Sequence, residues 1–200
     1  MAVKAVFFDV GETLVDETRY WGEHARRLGT TPHVVWAALG ATIEAGEHHR
    51  QVFARLGVGV PEQDVVFDRL DLYPDALPCL EALRAAGYFL GVAGNQSEAL
   101  ESWARAEELP VDWIGSSASL GVEKPAPAFF ERLVEAAGCE PREAAYVGDR
   151  VDNDVLGAAA AGLVSVHVRR GPWGWLQSGA EQADVRVTSL AELPEALVGL

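Results

Sequence analysis

The 200-residue chain is short of three things, and each shortage narrows the field. Its only cysteines, Cys79 and Cys139, stand far apart with no CxxC pair or Cys/His cluster near either. That spacing offers neither a disulfide framework nor a thiolate metal site, and both residues read as buried free thiols. Positive charge is also scarce: Lys and Arg total 16 against 30 Asp and Glu, a formal net charge of −14. Nucleic-acid binding through a general electrostatic footprint needs a basic face, so that class is excluded. Phosphorylated small molecules stay admissible, because a local cation reverses the field inside one cleft. Finally, no apolar run reaches the roughly 18 residues of a membrane span. The opening MAVKAVFFDV lacks the charged–apolar–cleavage pattern of a signal peptide. The expectation is a cytoplasmic protein with no membrane or nucleic-acid partner.

What is present is ordinary globular composition, 49% apolar and 23% charged, with no internal repeat. Residues 3–8 form a continuous apolar run ending in Asp9, with Gly11 and Thr13 just beyond. A run apolar on both faces suits a central parallel strand. Similar short runs recur at 89–93, 111–114, 144–147 and 164–168. Between them lie helical patterns: Leu77, Leu80 and Leu83 before Gly87, then Phe129, Phe130, Leu133, Val134 and Ala137 before Gly138. Strand–helix alternation of this kind predicts an α/β fold, a Rossmann-like parallel sheet flanked by helices, with ligands beyond the carboxyl ends of its strands. Residues 16–72 break the rhythm. They show helical patterns at 20–28, 34–43 and 49–56, separated by turns at 30–32 and 57–61, and read as a helical insertion after the first strand.

Four clusters carry chemistry-bearing groups. Asp9, at a strand tip, suits a nucleophile or a metal ligand, and Gly11 allows the sharp turn that turns its carbonyl toward a cation. Gly148-Asp149-Arg150-Val151-Asp152-Asn153-Asp154 follows a buried run and places three carboxylates within a short stretch. Helix capping accounts for one of them. With Asp9 nearby, the others repel unless a cation sits among them, and an all-oxygen set suits Mg²⁺. Lys124, held out of helical geometry by Pro125, is placed to neutralise an anion. Gly94-Asn95-Gln96-Ser97, after the second strand, is a candidate anion cradle at a helix start.

Taken together, strand-end Asp9 with Thr13, the small polar step at Asn95, Lys124-Pro125, and Asp149 with Asp154 make the chain resemble the haloacid dehalogenase-like hydrolase superfamily. The resemblance spans nearly the whole chain. It implies a core of residues 1–15 and 73–200 with a small helical cap at 16–72. It implies further a Mg²⁺-dependent phosphatase acting on a small phosphorylated metabolite: Asp9 attacks phosphorus, an aspartyl-phosphate forms, and water hydrolyses it. In that scheme Asp9, the Gly11 carbonyl, Asp149 and Asp154 serve Mg²⁺, and Lys124 stabilises negative charge on the nucleophile and the transferring group. Asn95, Gly94 and Thr13 contact the phosphoryl oxygens.

Two positions depart from the superfamily's pattern. Its phosphatases usually carry a second aspartate, the general acid and base, where this chain has Gly11. A hydroxyl residue usually stands where this chain has Gly94, with Ser97 as a substitute donor. Glu12 is one residue too far along to inherit the acid role automatically. Two other readings therefore stand beside the phosphatase: a non-catalytic phosphate- or partner-binding protein, and a metal-independent 2-haloacid dehalogenase. His48 and His49 read as solvated or packed within the insertion, Trp173 and Trp175 as a structural loop, and Arg169 and Arg170 as solvated. Arg19, Tyr20 and Trp21 read as nearer the cleft.

Overall fold

Short runs apolar on both faces become the strands of one parallel sheet in a computed structural model, which describes residues 2–61 and 66–200. Residues 62–65 of the expected insertion lie outside the described residues. In chain order the elements are β1 (Ala5–Phe8), α1 (Thr18–Arg27), α2 (Pro32–Glu44), α3 (Gln51–Arg55), α4 (Ala76–Ala85), β2 (Phe89–Gly94), α5 (Ala99–Ala106) and β3 (Trp113–Ser116). There follow α6 (Ser117–Leu120), α7 (Pro127–Ala137), β4 (Ala144–Gly148), α8 (Leu156–Ala160), β5 (Val164–Val168), α9 (Gly171–Leu176), β6 (Val185–Val187) and α10 (Leu193–Ala196). The sheet order is β3-β2-β1-β4-β5-β6, every pair parallel. The fold is the Rossmann-like α/β arrangement that the alternation predicts.

Side chains of β1 divide between two cores. Val6 and Phe8 join Leu80, Leu83, Leu90, Val92, Val147 and Val166 on one face. Ala5 and Phe7 join Phe129, Phe130, Leu133, Ala144 and Tyr146 on the other. The two-residue period of a strand does this without any choice by the chain. A third apolar cluster joins Trp21, Ala25, Val35, Leu39, Ile43, Val52 and Phe53 of α1–α3 with Trp173 of α9. Those three helices, lying between β1 and α4, thus pack on one another and on α9, where Trp173 joins their cluster and Leu176 lies beside Gly40.

Two details differ from the sequence reading. The run at 111–114 enters the sheet late, because Asp112 turns the chain: its N–H donates to the Leu90 carbonyl and its carboxylate accepts from the Leu90 N–H, both at 2.8 Å. The strand proper is Trp113–Ser116. After β5 a short helix replaces the expected loop, and of the two arginines Arg169 is exposed as expected while Arg170 is not. Gly171–Leu176 is helical, Trp173 is buried, and Trp175 is exposed with Arg169 stacked on it at 4.0 Å. Arg170 is buried. It donates to the Thr13 carbonyl (3.1 Å) and to both Asp75 oxygens (3.1 and 2.7 Å), and its guanidinium lies 4.3 Å from the Tyr73 ring centre. Partners contributed by distant segments satisfy it, which local composition does not reveal. Of the two thiols, Cys79 is buried and Cys139 only half-buried, because the latter ends a surface helix; both are free. Among the described residues no helix is long and apolar enough to cross a membrane.

Gly91 shows how closely the central strands are fitted. It pairs with Phe7, and a Cβ placed there would overlap the Phe7 ring, which is also within 6.1 Å of the Trp113 ring in an edge-on contact. Overpacking of this kind costs about 1–3 kcal/mol. Gly91→Ala is therefore expected to lower the urea unfolding midpoint by that equivalent, and the cost should shrink in a Phe7→Leu background. Equal costs in both backgrounds would show that the ring is not the obstacle.

Candidate active site

Strand β1 lies between β2 and β4, so the order reverses there and opens a crevice at the strand tips. The residues just past those tips are Asp9, Asn95 and Asp149. Asp9 continues β1 by donating its N–H to the Val147 carbonyl at 2.8 Å, which holds its side chain over the crevice. From the segment before α7, Lys124 reaches in. Its Nζ lies 2.7 Å from Asp9 Oδ1 and 2.6 Å from Asp154 Oδ1, with the lysine and Asp154 fully enclosed and Asp9 nearly so.

The main chain of Lys124 is held as firmly as its head group. Asn95 accepts the Lys124 N–H at 2.7 Å and donates its amide to the Lys124 carbonyl at 2.9 Å. One Asn95 amide hydrogen remains for other use. The clamp gives Asn95 a second task beside the expected phosphoryl contact: its amide fixes the lysine main chain. The Lys124–Pro125 peptide is cis, and the next helix starts at Pro127.

Asp154 sits in a π-helical turn, Val151–Val155, which folds its carboxylate back to accept the Arg150 N–H at 2.9 Å. Asp149 is buried beside it, and its carbonyl lies 3.0 Å from His167 Nε2. Oxygens of Asp9, Asp149 and Asp154 come within 4.8 Å of one another. Asp152, the remaining carboxylate of that stretch, turns outward onto Arg150 and takes no part.

The charges of this cluster do not balance. Burial works against the Lys124 ammonium, yet Asp154 and Asp9 hold its pKa well above the ordinary lysine value. Burial, reinforced by Asp154 and Asp9, pushes Asp149 well above the usual carboxylate range. Burial also raises Asp154, to about 6, against the pull of Lys124. One ammonium thus faces three enclosed carboxylates. An all-oxygen set of this kind, left short of positive charge, fits a hard divalent ion.

The crevice opens into a cleft of about 480 Å³. Asp9, Gly11, Asn95, Lys124 and Asp149 line its floor, with Gln96 and Ser97 beside them. Tyr20, Trp21 and Phe53 from the inserted helices, together with His48, His49 and Arg50 from the turn before α3, form the opposite wall with Trp173. His48, exposed, and His49, half-buried beside Trp173, thus border the cleft as well as packing within the insertion. Burial lowers His49 to about 3 and His48 by less, which keeps both rings neutral. Arg19 does not reach the cleft, since Asp71 and the Val66 carbonyl hold it.

Three expectations at the first loop change. Thr13 is fully buried, does not line the cleft, and gives its carbonyl to Arg170, because the chain doubles back after Gly11 so that Val10 accepts the N–H groups of Thr13, Leu14 and Val15. Gly94, at the end of β2, gives its carbonyl to the Gln96 N–H at 2.9 Å, and a Cβ there would stand 2.7 Å from Asp9 Oδ1. The residue keeps room for the Asp9 carboxylate. The space over Gly11, finally, is filled: a Cβ built on it would overlap Oε1 of Glu17. Glu17 was not anticipated. A carboxylate at a helix start reads as a cap, and only the fold of the loop carries it over Gly11. Glu12 is buried with its Oε2 taking the Tyr73 hydroxyl and its Oε1 the Glu17 N–H, and burial raises it to about 7.

A switch-point crevice on a Rossmann-like sheet, with a buried lysine among strand-end carboxylates, defines the class: a hydrolase. The model of the haloacid dehalogenase-like hydrolase family matches residues 3–162, and the chain belongs to that family. A curated relative from Methanopyrus kandleri, named glyceraldehyde 3-phosphate phosphatase, is 32% identical, the match covering 86% of each chain. Among solved structures, a HAD phosphatase from Thermococcus onnurineus is 26% identical, with TM-score 0.67 and coverage of 98% of this chain and 99% of that one. The L-2-haloacid dehalogenase of Xanthobacter autotrophicus aligns over 99% of both chains with TM-score 0.70 at 20% identity, a likeness of fold alone.

If a divalent ion completes the acidic cluster, its effect on stability follows. Mg²⁺ at about a hundred times its Kd should stabilise by about 2.7 kcal/mol, a rise in Tm of about 5–10 °C for a chain of this size. Asp149→Asn, which removes one buried like charge, should raise Tm in EDTA and lose the response to Mg²⁺. Calorimetry of both proteins checks this; an unchanged Mg²⁺ response in the variant would overturn the assignment of Asp149.

Proposed function

We propose that the chain is a Mg²⁺-dependent phosphatase acting on a small phosphorylated metabolite through an aspartyl-phosphate on Asp9. The observation that carries this reading is the buried ammonium of Lys124 between Asp9 and Asp154, with Asp149 beside them. A metal-independent dehalogenase would leave Asp149 buried beside Asp9 and Asp154 with one ammonium for the three. A phosphatase gives them an ion to hold. The names of the Methanopyrus relative and the Thermococcus structure support the same substrate class.

In this reading Asp9, Asp149 and Asp154 hold the ion, which supplies positive charge against the phosphoryl oxygens and draws the ester to the crevice. Lys124 holds Asp9 in one orientation and offsets negative charge as the nucleophile approaches phosphorus. Asn95 keeps Lys124 in place. Asp9 attacks, the ester oxygen leaves, and water then releases orthophosphate and frees Asp9. We further propose residues 16–72 as a cap whose α1–α3 wall faces the Asp9 floor. A cleft of about 480 Å³ suits small esters, and the aromatic rings and histidines along it sort them by shape.

Orthophosphate release should be measured across sugar, triose and nucleoside monophosphates, in Mg²⁺ and in EDTA. The expectation is Mg²⁺-dependent release from at least one small ester, lost to background in Asp9→Asn. Tight ester binding without release would leave a non-catalytic binder. Halide release from a 2-haloacid in EDTA would mean a dehalogenase.

A further inference from the structure

We infer that Glu17 is the proton donor and acceptor of this active site, an inference that rests on the phosphatase reading above. The first ground is position. A Cβ on Gly11 would coincide with the Glu17 carboxylate, so Glu17 takes up the volume that a side chain two residues beyond Asp9 would use. Gly11, Glu17, Asp9, Lys124 and Asp149 all line the same cleft. The second ground is orientation. Glu17 Oε2 accepts from Trp21 Nε1 at 3.0 Å, one turn along α1, and the Glu17 N–H donates to Glu12 Oε1 at 3.2 Å. With the side chain turned this way, Oε1 is the oxygen that stands over Gly11.

The third ground is that the other acids at the cleft floor have different work. Asp9 and Asp154 bind Lys124, and Asp149 completes the acidic cluster. Glu12 borders the cleft too, but its side chain packs where a Cβ on Gly171 would be, and its two oxygens take the Tyr73 hydroxyl and the Glu17 N–H. Its part is to position Glu17 through the backbone N–H.

The proton and electron balance closes. As the Asp9 oxygen bonds to phosphorus, the ester P–O bond breaks and its electron pair stays on the leaving oxygen. Glu17 Oε1–H protonates that oxygen, the alcohol departs, and Glu17 is left as carboxylate. Glu17 then accepts a proton from water as the water oxygen bonds to phosphorus. The P–O bond to Asp9 breaks, its electron pair returns to the Asp9 carboxylate, and orthophosphate leaves with Glu17 protonated again. The group belongs to α1, so proton transfer is supplied by the inserted helices while the nucleophile is supplied by the sheet.

Glu17→Gln tests this, since glutamine keeps an acceptor for Trp21 and loses the transferable proton. Turnover of an alkyl phosphate should fall about 10²–10³-fold. With p-nitrophenyl phosphate, whose leaving group needs no acid, the variant should release about one equivalent of nitrophenolate per site in a burst and then stall. A merely structural role would slow both esters alike, without a burst. Gly11→Ala is the second test: its methyl displaces only the end of the Glu17 side chain, and alkyl-ester turnover should fall about tenfold or more with nitrophenyl release less affected. Turnover within about threefold of wild type in either variant, or equal slowing without a burst in Glu17→Gln, overturns the assignment. A wild-type chain that hydrolyses no phosphate ester overturns the phosphatase reading itself, and this one with it; an active wild type beside an indifferent variant removes Glu17 alone.

Discussion

The ammonium of Lys124 is almost completely enclosed, and it is held there by two carboxylates that come from opposite ends of the chain. Taking such charges out of water costs several kcal/mol per ion, and only close geometry returns it. That requirement disciplines the surroundings. Asn95 clamps the lysine main chain, a π-helical turn folds Asp154 beneath it, Gly94 leaves the Asp9 carboxylate room, and the Tyr146 ring lies 5.1 Å below the ammonium. Each of these is a local oddity alone. Around one buried cation they have a common cause.

A second polar network ties the loop after β1 to the rest of the chain. Glu12 binds Tyr73, Arg170 covers the Tyr73 ring and takes the Thr13 carbonyl, and Asp75 receives both Arg170 and Ser189. The loop that follows Asp9 is thus braced by segments from the middle and the end of the sequence. Rigidity of this sort is what a site needs when sub-ångström placement of a carboxylate decides its chemistry. The same loop launches α1, so whatever fixes Glu12 also fixes where the inserted helices begin.

Fold alone does not select a reaction. The sheet aligns equally well with a phosphatase at 26% identity and with a dehalogenase at 20%. What separates the possibilities here is electrostatic: three enclosed acids and one ammonium leave a deficit of positive charge at the cleft floor. The residues across the cleft include aromatic rings, two histidines and Arg50, contributed by the inserted helices and α9.

The sequence by itself determined the sheet, because strands buried on both faces must be apolar throughout and their ends must carry the polar groups. Asp9 and Asp149 were legible for that reason, Lys124 and Asp154 through their spacing within a resembling pattern, and the three helices through their break in the alternation. The rest depended on distance in space. Arg170 looked solvated because its partners, Thr13 and Asp75, lie far away in the chain, and Asn95 looked like a ligand group because nothing local shows that it grips Lys124. Thr13 turned inward and His48 and His49 turned toward the cleft for the same reason: a side chain's direction is set by what packs against it. Above all, the glycine at position 11 reads in sequence as a missing acid. Only the tertiary structure brings the carboxylate of Glu17 into that space, since a loop's path is decided by long-range bracing that no local pattern encodes.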